Sequence, residues 1–354
     1  MNAAKDELRN ERAAPAGTVT LAHGGGGRVM RELIERFLVP AFENPLLAPL
    51  EDQARIPLAG LTAAGDRLAF TTDTYVVSPV EFPGGDIGKL AVCGTVNDLA
   101  MSGALPLHLS CGLVLEEGLE LALLERVLLS MSRTAREADV TVVTGDTKVV
   151  EHGAADRMFI NTAGIGVIPR GVEIAAGRAR AGDLVIVNGT LGDHGVSILL
   201  ARNELALEAE VVSDCQPLHG LVAAMLAACP DIRCLRDATR GGLATVLNEF
   251  ATSSGVGMRI AESSIPVSET VRGACEILGL DPLYLANEGK LVAIVPRSSA
   301  EAVLDAMRAH PAGCAAAIVG EVTAAPRGRV VLATAFGGHR VLDTLAGEQL
   351  PRIC

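Results

Sequence analysis

Residues 87–102 read IGKLAVCGTVNDLAMS. Apolar and small residues dominate the run, and the spacing predicts a helix from Ile87 to Ser102 with Asn97 and Asp98 late in it. Pro83-Gly84-Gly85-Asp86 forms a loop just before it. Upstream, Leu68 to Val77 (LAFTTDTYVV) is rich in β-branched and aromatic residues and reads as a strand, with Asp73 near its end. Downstream, Leu107 to Leu115 reads as a second strand. Strand, helix and strand in succession set the class as mixed α/β.

The alternation extends both ways. Leu121, Leu124, Leu128, Met131 and Ala135 mark an amphipathic helix. Val140 to Thr144 reads as a short buried strand, with Gly145-Asp146-Thr147-Lys148 following at its C-terminal end, and Phe159 to Ile168 as another strand. A first domain ends near Arg170. The second half opens with a strand at Leu184 to Asn188 and a turn, Gly189 to Gly195 (GTLGDHG), into a helix. Further helices run from Pro217 to Pro230, from the DATRGG turn (237–242) to Phe250, from an N-cap at Ser268 to Gly279, and over Ala300 to Arg308. Asn287-Glu288-Gly289-Lys290 stands immediately before the strand Leu291 to Val295, and final strands lie around Ile318 and Val330 to Ala333. Periodicity leaves the sheet order open.

At 354 residues, the chain is long enough for two sizeable cores. Aromatic residues make up only 3 %, so Leu, Val, Ile and Ala must build those cores. The formal net charge of −12 argues against a nucleic-acid partner but not against ATP, whose charge is met locally by backbone N–H groups and Mg²⁺. No apolar run approaches the ~18 residues a membrane span needs, and the polar N-terminus lacks a signal-peptide stretch, so a soluble cytoplasmic protein without membrane partners is expected. None of the eight cysteines makes a CxxC pair, which gives no sign of a zinc or redox motif.

His23-Gly24-Gly25-Gly26-Gly27 runs into a helical pattern over Arg28 to Leu38, and unpaired N–H groups at such a junction suit an anion. A flexible linker would read the same way, and the GK[ST] ending of a Walker loop is absent. Asp73, Asp98 and Asp146 each sit in or beside an apolar segment; they either converge on Mg²⁺ or cap turns and helices. Lys148 suits charge stabilisation on a phosphoryl group, or else is a solvated surface lysine. Glu288, in a Gly-flanked turn before a strand, is a general base or an exposed turn residue. His152 is a second proton carrier by its closeness to Lys148, and in GDHG (192–195) turn formation is the simpler reading of His194. The chain ends in Leu350-Pro351-Arg352-Ile353-Cys354, where Pro351 favours an extended arm carrying a thiol. Prenylation is excluded, because its cysteine must lie fourth from the end.

Together, HGGGG (23–27), TTDTYVVSP (71–79), PGGDIGKLAVCGTVNDLAMSGA (83–104), GDTKVV (145–150), GDLVIVNGTLGDHG (182–195), DATRGG (237–242), NEGK (287–290) and PRIC (351–354) resemble the hydrogenase maturation factors of the HypE family, the carbamoyl dehydratases. The resemblance runs from about Leu21 to the end. It implies a two-domain α/β fold of the aminoimidazole ribonucleotide synthetase (PurM-like) superfamily. Residues 1–50 would hold an extension, the Gly-rich loop and a helix; 51–170 an ATP-binding half-barrel domain that dimerises; 171–340 a C-terminal α/β domain; and 341–354 a mobile tail carrying the reactive cysteine. It further implies ATP-dependent dehydration of an S-carbamoyl group on Cys354 to an S-cyanate, for the cyanide ligands of [NiFe]-hydrogenase. The implied partners are a second copy of the chain, the carbamoyltransferase HypF and the HypC–HypD complex. Asp73, Asp98 and Asp146 would hold Mg²⁺. His23, Gly24, Gly25, Gly26, Gly27, Asn97, Thr147 and Asp237 would contact the nucleotide. Cys354, Lys148, Glu288 and His152 would do the chemistry. The rival expectations are a sibling ATP enzyme acting on a diffusible substrate and a non-enzymatic thiol carrier.

Overall fold

The computed structural model describes residues 16–202, 210–344, 347 and 350–354. The expected N-terminal extension therefore lies almost wholly outside the described residues. The helices are α1 (Arg28–Leu33), α2 (Val39–Phe42), α3 (Leu58–Ala64), α4 (Ile87–Met101), α5 (Leu121–Glu137), α6 (Asp193–Ala201), α7 (His219–Ala228), α8 (Gly242–Ser254), α9 (Glu269–Leu278) and α10 (Ala300–Arg308). The strands are β1 (Arg67–Tyr75), β2 (Glu81–Phe82), β3 (Gly85–Asp86), β4 (Leu105–Glu116), β5 (Thr141–Val150), β6 (Met158–Ile168), β7 (Leu184–Val187), β8 (Cys234–Asp237), β9 (Gly257–Ala261), β10 (Leu291–Val295), β11 (Ala317–Thr323), β12 (Val330–Ala333) and β13 (His339–Leu342).

A four-stranded sheet of order β1-β6-β4-β5 forms the first half, and a seven-stranded sheet of order β13-β12-β9-β11-β7-β10-β8 the second. The first sheet is antiparallel except for β4 and β5, which run parallel and are joined by α5. Its inner face packs on α4 and α5. Among the described residues its outer face is open, and it carries Leu68 and Phe70, 58 % and 72 % exposed.

Helix α4 begins where Asp86 Oδ1 accepts from the amides of Gly88 and Lys89 at 2.8 and 3.0 Å, a side-chain cap. It is buried almost all round because it lies between the first sheet and elements of the second domain, α7 and β8. Its small residues allow close approach. A Cβ at Gly94 would stand 2.2 Å from the Tyr75 hydroxyl, so glycine there admits the ring of Tyr75 from β1.

Three sequence expectations are corrected. The helix foreseen over Arg28 to Leu38 widens to a π-helix at Ile34–Leu38. Pro40 follows, and its ring and missing N–H disrupt the regular i−4 bonding that an unbroken helix would need. β5 does not stop at Thr144 but continues through Gly145, Asp146, Thr147 and Lys148 to Val150, paired residue by residue with β4. Gly145 permits this, since a Cβ there would lie 2.4 Å from the Cys111 carbonyl oxygen. β8, β9 and β13 are strands that the sequence reading left unassigned.

Candidate active site

β5 carries one group of functional side chains. Gly24 lies directly on it, and a Cβ at that position would meet Val149 at 2.9 Å. Gly26 is left-handed at φ +73°, and Gly27 caps α1. His23 faces Thr20, whose backbone N–H donates to Nδ1 at 2.9 Å, which leaves the ring proton on Nε2. The loop thus brings His23 and Gly24 to Gly27 alongside Asp146, Thr147 and Lys148. Lys148 Nζ lies 2.7 Å from Asp146 Oδ2, both 65 % exposed, and this bond is the main reason the Asp146 carboxyl is held below its usual range. Next to them is a cavity of about 670 Å³. Its lining includes Gly26, Gly27, Arg28, Asp146 and Thr147 as well as the apolar Met30, Ile34, Phe42, Leu47 and Leu50. His152 is on the surface beyond β5, 3.4 Å from Glu116.

β1, α4 and the second domain build the other group. Asp73 on β1 and Asp98 on α4 lie near enough to Asp237 at the end of β8 to act on its carboxyl. Burial pushes Asp237 up to about 7, with Asp98 and Asp73 adding to the shift. Burial likewise raises Asp98, against a 2.8 Å bond from Thr71 Oγ1. Glu288 is buried, and its Oε1 has no hydrogen-bond partner among the described residues. Burial first, then Cys215, Asp237 and Asp214, push its carboxyl well above the usual carboxylate range. Tyr75 is fully enclosed beside it, raised by burial and by Asp73.

Leu350 to Cys354 docks at this second group. The Val76 amide donates to the Cys354 main-chain oxygen at 3.1 Å, and the Ser78 amide to the Arg352 carbonyl at 3.3 Å. This antiparallel register turns the last residue back toward β1, which carries Tyr75 and Asp73. Ile353 is buried and Cys354 half-buried. Two residues outside the candidate set hold the arm. His194 Nε2 donates to the Ile353 carbonyl at 2.8 Å, and Arg202 Nη2 to those of Pro351 and Arg352 at 2.6 and 2.9 Å. GDHG was the sequence signal for His194; nothing in the sequence marked Arg202.

The candidate residues therefore fall into two places. Asp73, Asp98, Asp237, Glu288 and Cys354 gather at β1. The Gly loop, Asp146, Thr147 and Lys148 gather at β5, three strand spacings away, or roughly 14 Å across a flat sheet. Asp146 thus does not join Asp73 and Asp98 within one chain, as the sequence reading had expected; Asp237 does. Among the described residues, no three carboxylate, imidazole or thiol groups stand close enough to hold a metal by themselves. One or two of Asp73, Asp98 and Asp237, completed by phosphate oxygens, would suit Mg²⁺. They are hard oxygen donors whose mutual repulsion a cation would relieve, and Mg²⁺ commonly takes one or two carboxylates together with phosphate oxygens. Asn97 is committed elsewhere. Its Nδ2 donates to the carbonyls of Gln216 and Glu288, and its Oδ1 accepts from Leu218, which ties the domains together.

Residues 51–168 match the family described as AIR synthase related protein, N-terminal domain, and residues 180–333 its C-terminal domain. The chain is 58 % identical over 347 residues to a carbamoyl dehydratase HypE of Rhodobacter capsulatus, covering 98 % of this chain and 99 % of that one. It superposes with a TM-score of 0.90 on the crystal structure of a hydrogenase maturation protein HypE in complex with ATP, at 50 % identity, covering 95 % of this chain and all of the other. The crystal structure of a HypE–HypF complex matches at a TM-score of 0.77 and 44 % identity, over 90 % of this chain and all of that one. The two-domain α/β architecture, the docked cysteine arm and these likenesses lead to one conclusion: the chain belongs to the HypE family of carbamoyl dehydratases, within the PurM-like superfamily of AIR synthase related proteins.

Proposed function

We propose that this protein dehydrates an S-carbamoyl group on Cys354 to an S-cyanate, with ATP as co-substrate, and so supplies the cyanide ligands of a [NiFe]-hydrogenase iron. The docked arm is the observation that carries this reading. It brings a thiol-bearing residue back to β1, the strand that carries Asp73, near Asp98 and Asp237 and a buried glutamate with a raised carboxyl.

The carbonyl oxygen of the thiocarboxamide is a poor leaving group. Its attack on the γ-phosphorus forms a C–O–P link as the bond to ADP breaks, and one N–H proton is lost. The C–O bond then breaks, phosphate leaves with the second proton, and C≡N remains. Glu288 takes the first proton. In its ionised form, a carboxylate whose pKa lies well above the usual range accepts it more readily than an ordinary one. One or two of Asp73, Asp98 and Asp237 would hold Mg²⁺, which neutralises phosphate charge when bound. The apolar lining of the cavity near β5 suits a nucleoside, and the Gly24, Gly26 and Gly27 amides, Thr147 and Lys148 suit phosphates, the Gly25 amide being bonded to the Ala22 carbonyl. The substrate is tethered, so positioning replaces binding affinity.

The separation of the two groups favours a homodimer. A second copy laid across the open face that carries Leu68 and Phe70 would set the β5 group of one chain beside the β1 group of the other. HypF is the proposed donor of the carbamoyl group, the HypC–HypD complex the acceptor of the cyano group, and the cytoplasm the site of action. No helix among the described residues is long and apolar enough to cross a membrane.

Mass spectrometry of the C-terminal peptide tests the reading. The protein is loaded by HypF with carbamoyl phosphate, desalted, and incubated with or without ATP. Loss of one water from the adduct only with ATP is the expected result. A stable adduct that ignores ATP would identify a carrier, and no adduct on Cys354 a sibling enzyme.

A further inference from the structure

We infer that His194 and Arg202 form a latch on the main chain of the arm, and are positioning residues that set how often Cys354 is docked. The inference rests on the function proposed above and adds what governs exchange between loading and dehydration.

The two residues sit at opposite ends of α6, about 12 Å apart along its axis. Between them they bind three consecutive carbonyls, those of Pro351, Arg352 and Ile353. Arg202 Nε also donates to the Ser78 carbonyl at 2.9 Å, so one guanidinium joins the arm to the segment after β1. No side chain of the arm takes part in these bonds. These bonds themselves do not involve the Cys354 sulfur. Arg352 adds a separate side-chain contact, with Nε on the Val76 carbonyl at 3.0 Å and Nη1 on Asp156 Oδ2 at 2.7 Å.

His194 is fully buried and bonded at both nitrogens. Because Nε2 must donate to the Ile353 carbonyl, Nδ1 accepts from Ser213 Oγ at 2.8 Å, and Ser213 Oγ in turn accepts from the Cys215 amide at 3.1 Å. The same short strap continues to the base. Asp214 Oδ1 accepts the Glu288 amide at 3.0 Å, and Oδ2 pairs with Lys290 Nζ at 3.0 Å. A docked arm completes the bonding of His194, and His194 braces the strap on which Glu288 hangs. Undocking leaves the buried Nε2–H without the Ile353 carbonyl and loosens both ends of this chain.

The test uses the full-length protein with Arg202→Ala, Arg202→Lys and His194→Gln. The rate of Cys354 alkylation by iodoacetamide is read by C-terminal-peptide mass spectrometry, with exposed Cys314 as internal reference. Loading by HypF and ATP-dependent loss of water from the preloaded protein are then timed separately. Arg202→Ala and His194→Gln are expected to raise Cys354 alkylation by about tenfold or more relative to Cys314, to keep or speed loading, and to slow dehydration by a similar factor. Arg202→Lys should recover part of each effect. Should His194→Gln fold poorly, the Arg202 pair carries the test alone. Unchanged alkylation in the folded variants would overturn the latch. So would faster alkylation with undiminished dehydration, since the contacts would then not position the thiol. If the wild type loses no water with ATP while the alkylation shifts appear, the proposed function fails and the latch stands.

Discussion

The Asn97 carboxamide donates to the Glu288 carbonyl at 3.3 Å, so the loop carrying the buried carboxyl hangs from a helix of the other domain. The same side chain accepts from Leu218 and donates to Gln216. Asn97→Ala should lower unfolding free energy by about 1–3 kcal/mol, because it orphans buried backbone groups at the domain interface. Urea denaturation checks this. ATP affinity, read by calorimetry, should stay within about threefold of wild type, since tenfold would require 1.4 kcal/mol of lost contact. Intact stability with tenfold weaker ATP binding would instead put Asn97 on the nucleotide.

Lys148 offers the reverse profile. Its partner Asp146 is as exposed as it is, and exposed pairs contribute about 0–1 kcal/mol, so Lys148→Ala should leave stability nearly unchanged. Dehydration of preloaded Cys354 should fall by about 10²–10³, the usual loss on removing one charge-stabilising donor at a reacting centre. Quenched-flow sampling of the C-terminal peptide measures it. A rate within threefold of wild type would remove Lys148 from the chemistry.

Glu288→Gln keeps the shape and removes the base. Folding should be unharmed or improved, because a buried carboxyl that resists ionisation costs the native state energy. Carbamoylation of Cys354 should proceed and dehydration stop. In the wild type, the dehydration rate should climb as pH rises through the raised Glu288 pKa, since the base must be ionised to act. A variant that still forms the nitrile would hand the role to another group.

Much of this arrangement was legible in the sequence, for a physical reason. Ile87–Met101 and Leu291–Val295 announce themselves by composition and length, and Ser268 and Gly279 by the demands of capping a helix. Asp98 was legible as a carboxylate in an apolar segment, whereas Glu288 read as a turn residue that could equally be exposed, and its burial comes from tertiary packing. What was not legible depends on sheet order. The reading placed Asp146 with Asp73, but β6 and β4 lie between their strands, a fact set by long-range pairing that periodicity does not carry. Asp237 entered as a nucleotide contact, and only the packing of β8 against α4 brings it to Asp98. His194 looked like a turn residue because its hydrogen-bond partner is a carbonyl 159 positions away.

Asp237 has a pH signature of its own. Its folded pKa, about 7, lies above the ordinary value of 3.8, so between those limits the folded state holds a proton that the unfolded state has lost. Stability should therefore rise as pH falls from about 7 toward 4, and the strain should be fully present above 7. Asp237→Asn should flatten this slope and raise the urea midpoint at pH 8. An unchanged slope would show that burial, with Asp98 and Asp73 beside it, does not raise this carboxyl.

The division of the site between β1 and β5 makes the dimer testable by mixing. Lys148→Ala chains retain Glu288 and Cys354, while Glu288→Gln chains retain the Gly loop and Lys148. If each site is built from the β5 group of one chain and the β1 group of the other, a mixed dimer holds one complete site and one doubly defective site. Random reassortment of equal amounts yields about half mixed dimers, so roughly one quarter of wild-type dehydration should return. A site contained within one chain would return nothing, because every chain in the mixture carries a lesion. Refolding the two inactive variants together, with each refolded alone as reference, separates these outcomes.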